Sequence, residues 1–150
     1  MQFKDFRVGQ VIHSPPTRIA QSQIIDFAQA FDPQWFHTDP ELAASSRWHG
    51  LIASGWHTCA IAMRLASEHI LKGSDSIGSP GVAYIKWPAP VRPGDELRLD
   101  VSILETRVSQ NGRFGVLRWR WRLLNQADVT VLDLEPTSLF DLTNGNSVSG

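Results

Sequence analysis

"HGLIASGWHTCAIAMRLASEHIL" (residues 49–71) is the stretch on which the fold turns. It opens with small residues, and from about Gly55 to Leu71 its apolar side chains are not confined to one helical stripe: Ile61, Met63, Leu65 and Ile70 spread over several faces. A helix that is apolar on most sides is expected to be buried. Gly73 is the residue expected to close it. Within the quoted stretch the longest weakly polar window, "LIASGWHTCAIAMRLA" (51–66), contains His57 and Arg64 and is too short to span a bilayer.

The segments around it supply what could bury it. Downstream, "GVAYIKW" (81–87) alternates, and a Pro-Gly turn leads into Leu97, Leu99, Val101 and Ile103 at period two. "FGVLRWRWRLLN" (114–125) is the clearest strand, with Leu117, Trp119, Trp121 and Leu123 on one face and Arg118, Arg120 and Arg122 on the other. Asn125 to Asp128 then read as a hairpin loop before the final strand "VTVLDLEPTSLF" (129–140). Upstream, "GQVIHSPPTRIA" (9–20) is a turn and a short extended piece broken by Pro15 and Pro16. "SQIIDFAQAF" (22–31) has helical spacing with Ser22 as its expected N-cap, and Pro33 stops it at about Phe31. Asp39 and Pro40 open a second short helix as N-cap and N1 residue. A curved antiparallel sheet wrapped around the long central helix is the economical way to bury that helix. The prediction is an α+β hotdog fold, one domain over residues 1–150 with a loose tail from about 143.

Composition narrows the function classes. The chain has 150 residues, 42% hydrophobic and 19% charged, with a formal net charge of −1. That balance lacks the basic footprint of a nucleic-acid binder. One cysteine, Cys59, rules out an intrachain disulfide and fits a reducing compartment, and without a cysteine pair a zinc site would need histidines and carboxylates. "MQFKDFRVGQ" (1–10) lacks the apolar run of a signal peptide, so the expected location is cytoplasmic, off the membrane. Six tryptophans suggest that some line a binding surface.

Of five histidines, only His37 has a carboxylate at short fixed spacing, in "FDPQWFHTDP" (31–40). His57 reads as a core or interface imidazole, His69 as a structural partner of its helix end, and His13 as isolated; nothing nearby supports a role for His49. Two readings of Asp32 and His37 stay open at this point: a turn-former beside a locally satisfied ring, or an acid–base pair. Ser54-Gly55, entering the central helix, offers free N–H groups, a positive dipole end and room for a ligand oxygen. A packing glycine at a strand–helix contact is the competing reading of Gly55.

The stretch Asp32–Gly55, "DPQWFHTDPELAASSRWHGLIASG", resembles the MaoC-like dehydratases, the family of R-specific enoyl-CoA hydratases. Asp32, His37 and Gly55 match the family's aspartate, histidine and oxyanion-hole glycine, and "PVRPGDELRLDVSILE" (90–105) is similar to its strand-turn-strand after the helix. The chain departs from the pattern at Phe31, at Pro33-Gln34-Trp35 and at Met63, which stands where a family serine falls. The resemblance implies hydration and dehydration of an enoyl thioester. Coenzyme A would enter only as part of the substrate, with no separate cofactor, and the chain would form a homodimer or a dimer of dimers. Asp32 is then the expected base and His37 the water-positioner and proton donor, with burial drawing both pKa values toward neutrality.

Trp35, Phe36, Ser54 and Trp56 are the expected substrate-binding residues, and Trp48 is a further nearby aromatic. Arg118, Arg120 and Arg122 read as a solvated sheet face sooner than a nucleotide-phosphate site; Lys86 and Arg92 are further candidates for that phosphate. Two other functions fit the fold. A thioesterase would place a carboxylate on the central helix, where Glu68 is the only acid and comes late; a non-catalytic acyl-thioester-binding subunit would have lost Asp32 or His37.

Overall fold

A computed structural model describes residues 1–144. Six strands, all paired antiparallel, form one sheet: β1 (Val11–His13), β2 (Thr17–Arg18), β3 (Ser76–Lys86), β4 (Glu96–Val108), β5 (Phe114–Leu124) and β6 (Thr130–Asp141). The order is β1-β4-β5-β6-β3, with the two-residue β2 also on β4. Alternation in β5 works as read. Leu117, Trp119, Trp121 and Leu123 are buried, and Arg118, Arg120 and Arg122 stand on the opposite, partly exposed face.

Between β2 and β3 lie α1 (Gln21–Phe31), the one-turn α2 (Trp35–Thr38), α3 (Pro40–Ala44) and the central α4 (Gly55–Ala66), which runs on into a π-helical turn over Ser67–Leu71. α4 packs against β4 and β6, and the core joins Ala62, Leu65, Ala66 and Ile70 to Leu97, Leu99, Trp119 and Leu132. Gly73 follows at φ +74°, the left-handed geometry expected of it.

Four expectations change. Ser22 lies inside α1; the helix begins after Ala20, whose N–H is taken by the Gln23 side chain at 2.8 Å. Second, β3 starts five residues earlier than its alternation suggested, and runs through Pro80. An edge strand tolerates that proline, because a missing N–H that faces away from the ladder breaks no pairing. Third, α4 is not buried all round. Trp56, Ala60 and Met63 stay exposed beside Val82 of β3, so the helix gives one apolar side to the sheet and keeps another open. Fourth, within the expected tail Thr143 and Asn144 are tied to Asp141 by hydrogen bonds, while residues 145–150 lie outside the described residues.

Candidate active site

Pro33 does what the sequence predicted: α1 ends at Phe31, and Asp32 caps it with its N–H on the Ala28 carbonyl at 2.8 Å. The chain then turns through α2, which carries His37 inward. The His37 ring is buried, and Nδ1 lies 2.7 Å from the Ile52 carbonyl. A carbonyl only accepts, so Nδ1 carries hydrogen and Nε2 is the nitrogen left for chemistry. Nε2 faces Asp32 Oδ2 at 3.3 Å.

The Asp32 carboxylate is braced on both oxygens. Gln34 Nε2 donates to Oδ1 at 2.7 Å and the Ser54 hydroxyl donates to Oδ2 at 2.8 Å. Desolvation pushes this carboxyl's pKa upward, but the bonds from Gln34 and Ser54 and the neighbouring His37 together outweigh it and hold Asp32 below the ordinary carboxylate range. The expected rise for Asp32 is therefore reversed. Its donors favour the ionised form more than its partial burial penalises it.

Asp32, His37 and Gly55 line one cavity of about 460 Å³, walled by Trp48, Trp56, Trp87 and the segment 88–91 that follows β3. Gly55 is the first residue of α4, where first-turn N–H groups have no partner within the helix. It is also a packing glycine. A Cβ built there would sit 2.6 Å from the Trp87 ring, and the Trp87 indole donates to the Gly55 carbonyl at 2.9 Å. The packing reading of Gly55 therefore holds, since the close approach of Trp87 needs the missing side chain, and Gly55 also lines the cavity at the helix start.

Sequence neighbourhood was a poor guide to the wall. Trp56 lines the cavity, but Trp35 and Phe36 do not; Phe36 meets His37 edge-on at 4.4 Å from behind, and Trp35 packs on Phe36 with its own face exposed. Ser54 reaches the cavity's chemistry through Asp32. The residues missed were Gln34, two positions after the acid, and Trp87, whose run Trp87-Pro88-Ala89-Pro90 marks extended backbone without regular pairing.

Four of the five phosphate candidates, Arg118, Arg120, Arg92 and Lys86, are already engaged. Arg118 bonds Glu105 at 3.1 Å and Glu135 at 2.8 Å, and Arg120 bonds Asp133 at 2.7 Å, across the outer sheet face. Arg92 donates to the Gly50 carbonyl and Lys86 sits over the Tyr84 ring. Glu68, the acid a thioesterase would use, is exposed and paired to Arg64. His57 stacks flat on Phe27, away from the Asp32 cavity, and Met63 lines a separate cavity.

A family model, the MaoC like domain, matches residues 5–118. The chain belongs to the MaoC-like domain family. Among its relatives, the uncharacterized protein YdeM of Bacillus subtilis is 34% identical over 135 residues, covering 90% of this chain and 95% of that one. The 3-hydroxyacyl-thioester dehydratase Z of Mycobacterium tuberculosis is 34% identical over 108 residues, 71% of this chain and 70% of the relative. The crystal structure of a MaoC-like dehydratase from Rhodospirillum rubrum superposes with a TM-score of 0.85 at 35% identity, over 92% of this chain and 94% of that chain. The hotdog architecture and hydro-lyase chemistry at the level of this MaoC-like family follow from these likenesses.

Proposed function

We propose that the protein adds water reversibly across the α,β double bond of an enoyl thioester. The observation that carries this reading is the Asp32–His37 contact of 3.3 Å, braced by Ser54 and Gln34, in the cavity that the first turn of α4 enters. In the hydration direction a water held between Asp32 Oδ2 and His37 attacks Cβ through its oxygen, and Asp32 takes its proton. A protonated His37 Nε2 delivers a proton to Cα, and Asp32 then returns its own proton to Nε2 across the short gap. The sum is one water added and both groups restored. The Gly55 N–H receives the thioester oxygen as it gains negative charge, in a cavity whose walls are mostly apolar. General acid–base catalysis of this kind is worth roughly 10²–10⁴-fold.

The acyl carrier, coenzyme A in this reading, is consumed as substrate and not retained. A homodimer accompanies the proposal. β3 is an edge strand with unpaired backbone groups, and the exposed Trp56, Met63 and Val82 form an apolar face that a second copy would cover. The thioesterase alternative gains nothing, since Glu68 points to solvent.

The test is incubation with crotonyl-CoA and longer enoyl-CoAs while following loss of the conjugated thioester absorbance. The expected result is consumption without free thiol, reduced roughly 10²–10⁴-fold by Asp32→Asn or His37→Ala. Free thiol release would assign a thioesterase, and unchanged turnover in both variants would remove the pair from the mechanism.

A further inference from the structure

Three cations adjoin the wall of the catalytic cavity in the chain: Lys86 precedes Trp87, Arg92 follows Val91 and Arg47 precedes Trp48. The first two are turned to other work. Lys86 lies over Tyr84, whose hydroxyl donates to Asp133 on the outer sheet face, and Arg92 donates to the Gly50 carbonyl. Arg47 is exposed and is paired with no carboxylate among the described residues. Its guanidinium lies 5.6 Å from the centre of the Trp48 ring, and that ring, half-buried, lines the cavity. An unneutralised positive charge therefore rests against the wall of the site.

The turn that carries Arg47 is pinned. The Ser46 hydroxyl donates to the Ala43 carbonyl at 2.6 Å and accepts the Trp48 N–H at 3.1 Å. The His49 N–H donates to the Ser46 carbonyl and the Gly50 N–H to the Ala43 carbonyl, each at 3.0 Å. Arg92 holds the far end through Gly50 at 3.2 Å. His49 is kept at φ +55°, a left-handed geometry that costs an L residue more than glycine. Backbone fixed in this way positions Trp48 and leaves Arg47 outside it with no acid to neutralise. Charge left in that state at the edge of a cavity attracts an anion.

We propose that Arg47 binds the first phosphate of the substrate's carrier arm, the 4′-phosphate at the end of its pantetheine, while the thioester sits at Asp32 and His37. This rests on the hydratase reading above. The enoyl group and the pantetheine amides are neutral, so this phosphate is the first charged group met on moving outward from the thioester. A guanidinium offers it a fork of donors that matches phosphate oxygens. The same phosphate joins the arm to the nucleotide of coenzyme A and to the serine of a carrier protein, and Arg47 recognises it in either; coenzyme A is the source in the reading above. Arg47 is a binding residue, remote from the proton transfers, and acts on KM and not on kcat.

The test builds the carrier up stepwise: crotonyl-pantetheine, crotonyl-4′-phosphopantetheine, crotonyl-dephospho-CoA and crotonyl-CoA. Adding the first phosphate should raise kcat/KM roughly two- to fivefold, the range of an exposed charge pair, through KM alone. The gain should shrink as salt is added. In Arg47→Gln it should fall to about one, with crotonyl-pantetheine turned over as in the wild type. Arg113→Gln, on the β4–β5 hairpin and away from the cavity, removes the same net charge and should keep the gain. A readout independent of turnover is calorimetric binding of butyryl-4′-phosphopantetheine against butyryl-pantetheine, whose difference should vanish in Arg47→Gln. A gain that survives Arg47→Gln, or one that appears only once the nucleotide is added, overturns the proposal. Crotonyl-CoA should be the better substrate beside a crotonyl-loaded carrier protein; if the carrier protein is better and its turnover still depends on Arg47, the phosphate contact stands and coenzyme A is replaced as the source. If no enoyl thioester is consumed while the butyryl pair still differs through Arg47, the hydratase reading fails and the phosphate site stands.

Discussion

Asp32 and His37 were visible in the sequence because an acid and an imidazole with four residues between them straddle a helix-stopping proline. Ser54 was singled out there as a substrate contact, and its role as a donor to Asp32 was not visible. It is 22 positions away from Asp32, and only the packing of the α4 entrance against the end of α1 brings the two within 2.8 Å. Trp35 and Phe36 fail for the converse reason: one helical turn directs His37 inward and sends its neighbours elsewhere. The brace predicts a pH effect. Asp32 is held below its ordinary pKa, so its ionised form contributes stability above the ordinary carboxylate range, and that contribution is lost as pH falls through the depressed value. Ser54→Ala removes one of the bonds that depress it. The acid limb of the kcat/KM profile should therefore move to higher pH in this variant, with kcat lowered roughly tenfold for the lost orientation. A limb that stays in place would mean that Asp32 is not the group titrating in catalysis.

At the scale of elements, the start of α4 and the segment after β3 form one unit through Gly55 and Trp87. Gly55→Ala puts a carbon inside contact distance of the Trp87 ring, so the variant should lose about 1–3 kcal/mol in urea denaturation, as overpacked sites do. Trp87→Ala in the same chain removes the clash, so the double variant should be more stable than the sum of the two singles predicts. Additive losses would show that the two residues do not bear on each other. β5 was legible residue by residue, since a period of two leaves little freedom about which side chains face the core. α4 was legible as a helix, but not in how much of it the fold covers. Apolarity on several faces says that each must be shielded, and nothing in it distinguishes a sheet of the same chain from another molecule.

At the scale of the whole molecule, that distinction becomes a prediction. The stripe Trp56–Met63 and the edge of β3 are exposed in a single chain, so the protein should elute and scatter light as a dimer at micromolar concentration. Val82→Lys, a charge on the apolar edge, should shift it toward monomer while leaving its circular dichroism unchanged. A wild-type monomer at those concentrations would leave the apolar face without its proposed cover.

By itself the sequence determined the α+β order, the alternating strands, the helix-stopping proline and the acid–imidazole pair, because each rests on near-neighbour periodicity and backbone stereochemistry. Only the tertiary structure decided which of the six tryptophans wall cavities, which arginines are already neutralised across the sheet, and that Ser54 joins Gln34 in holding Asp32 below the ordinary carboxylate range. Those outcomes depend on contacts between segments far apart in the chain, where burial and charge are set by whichever residues the fold brings together.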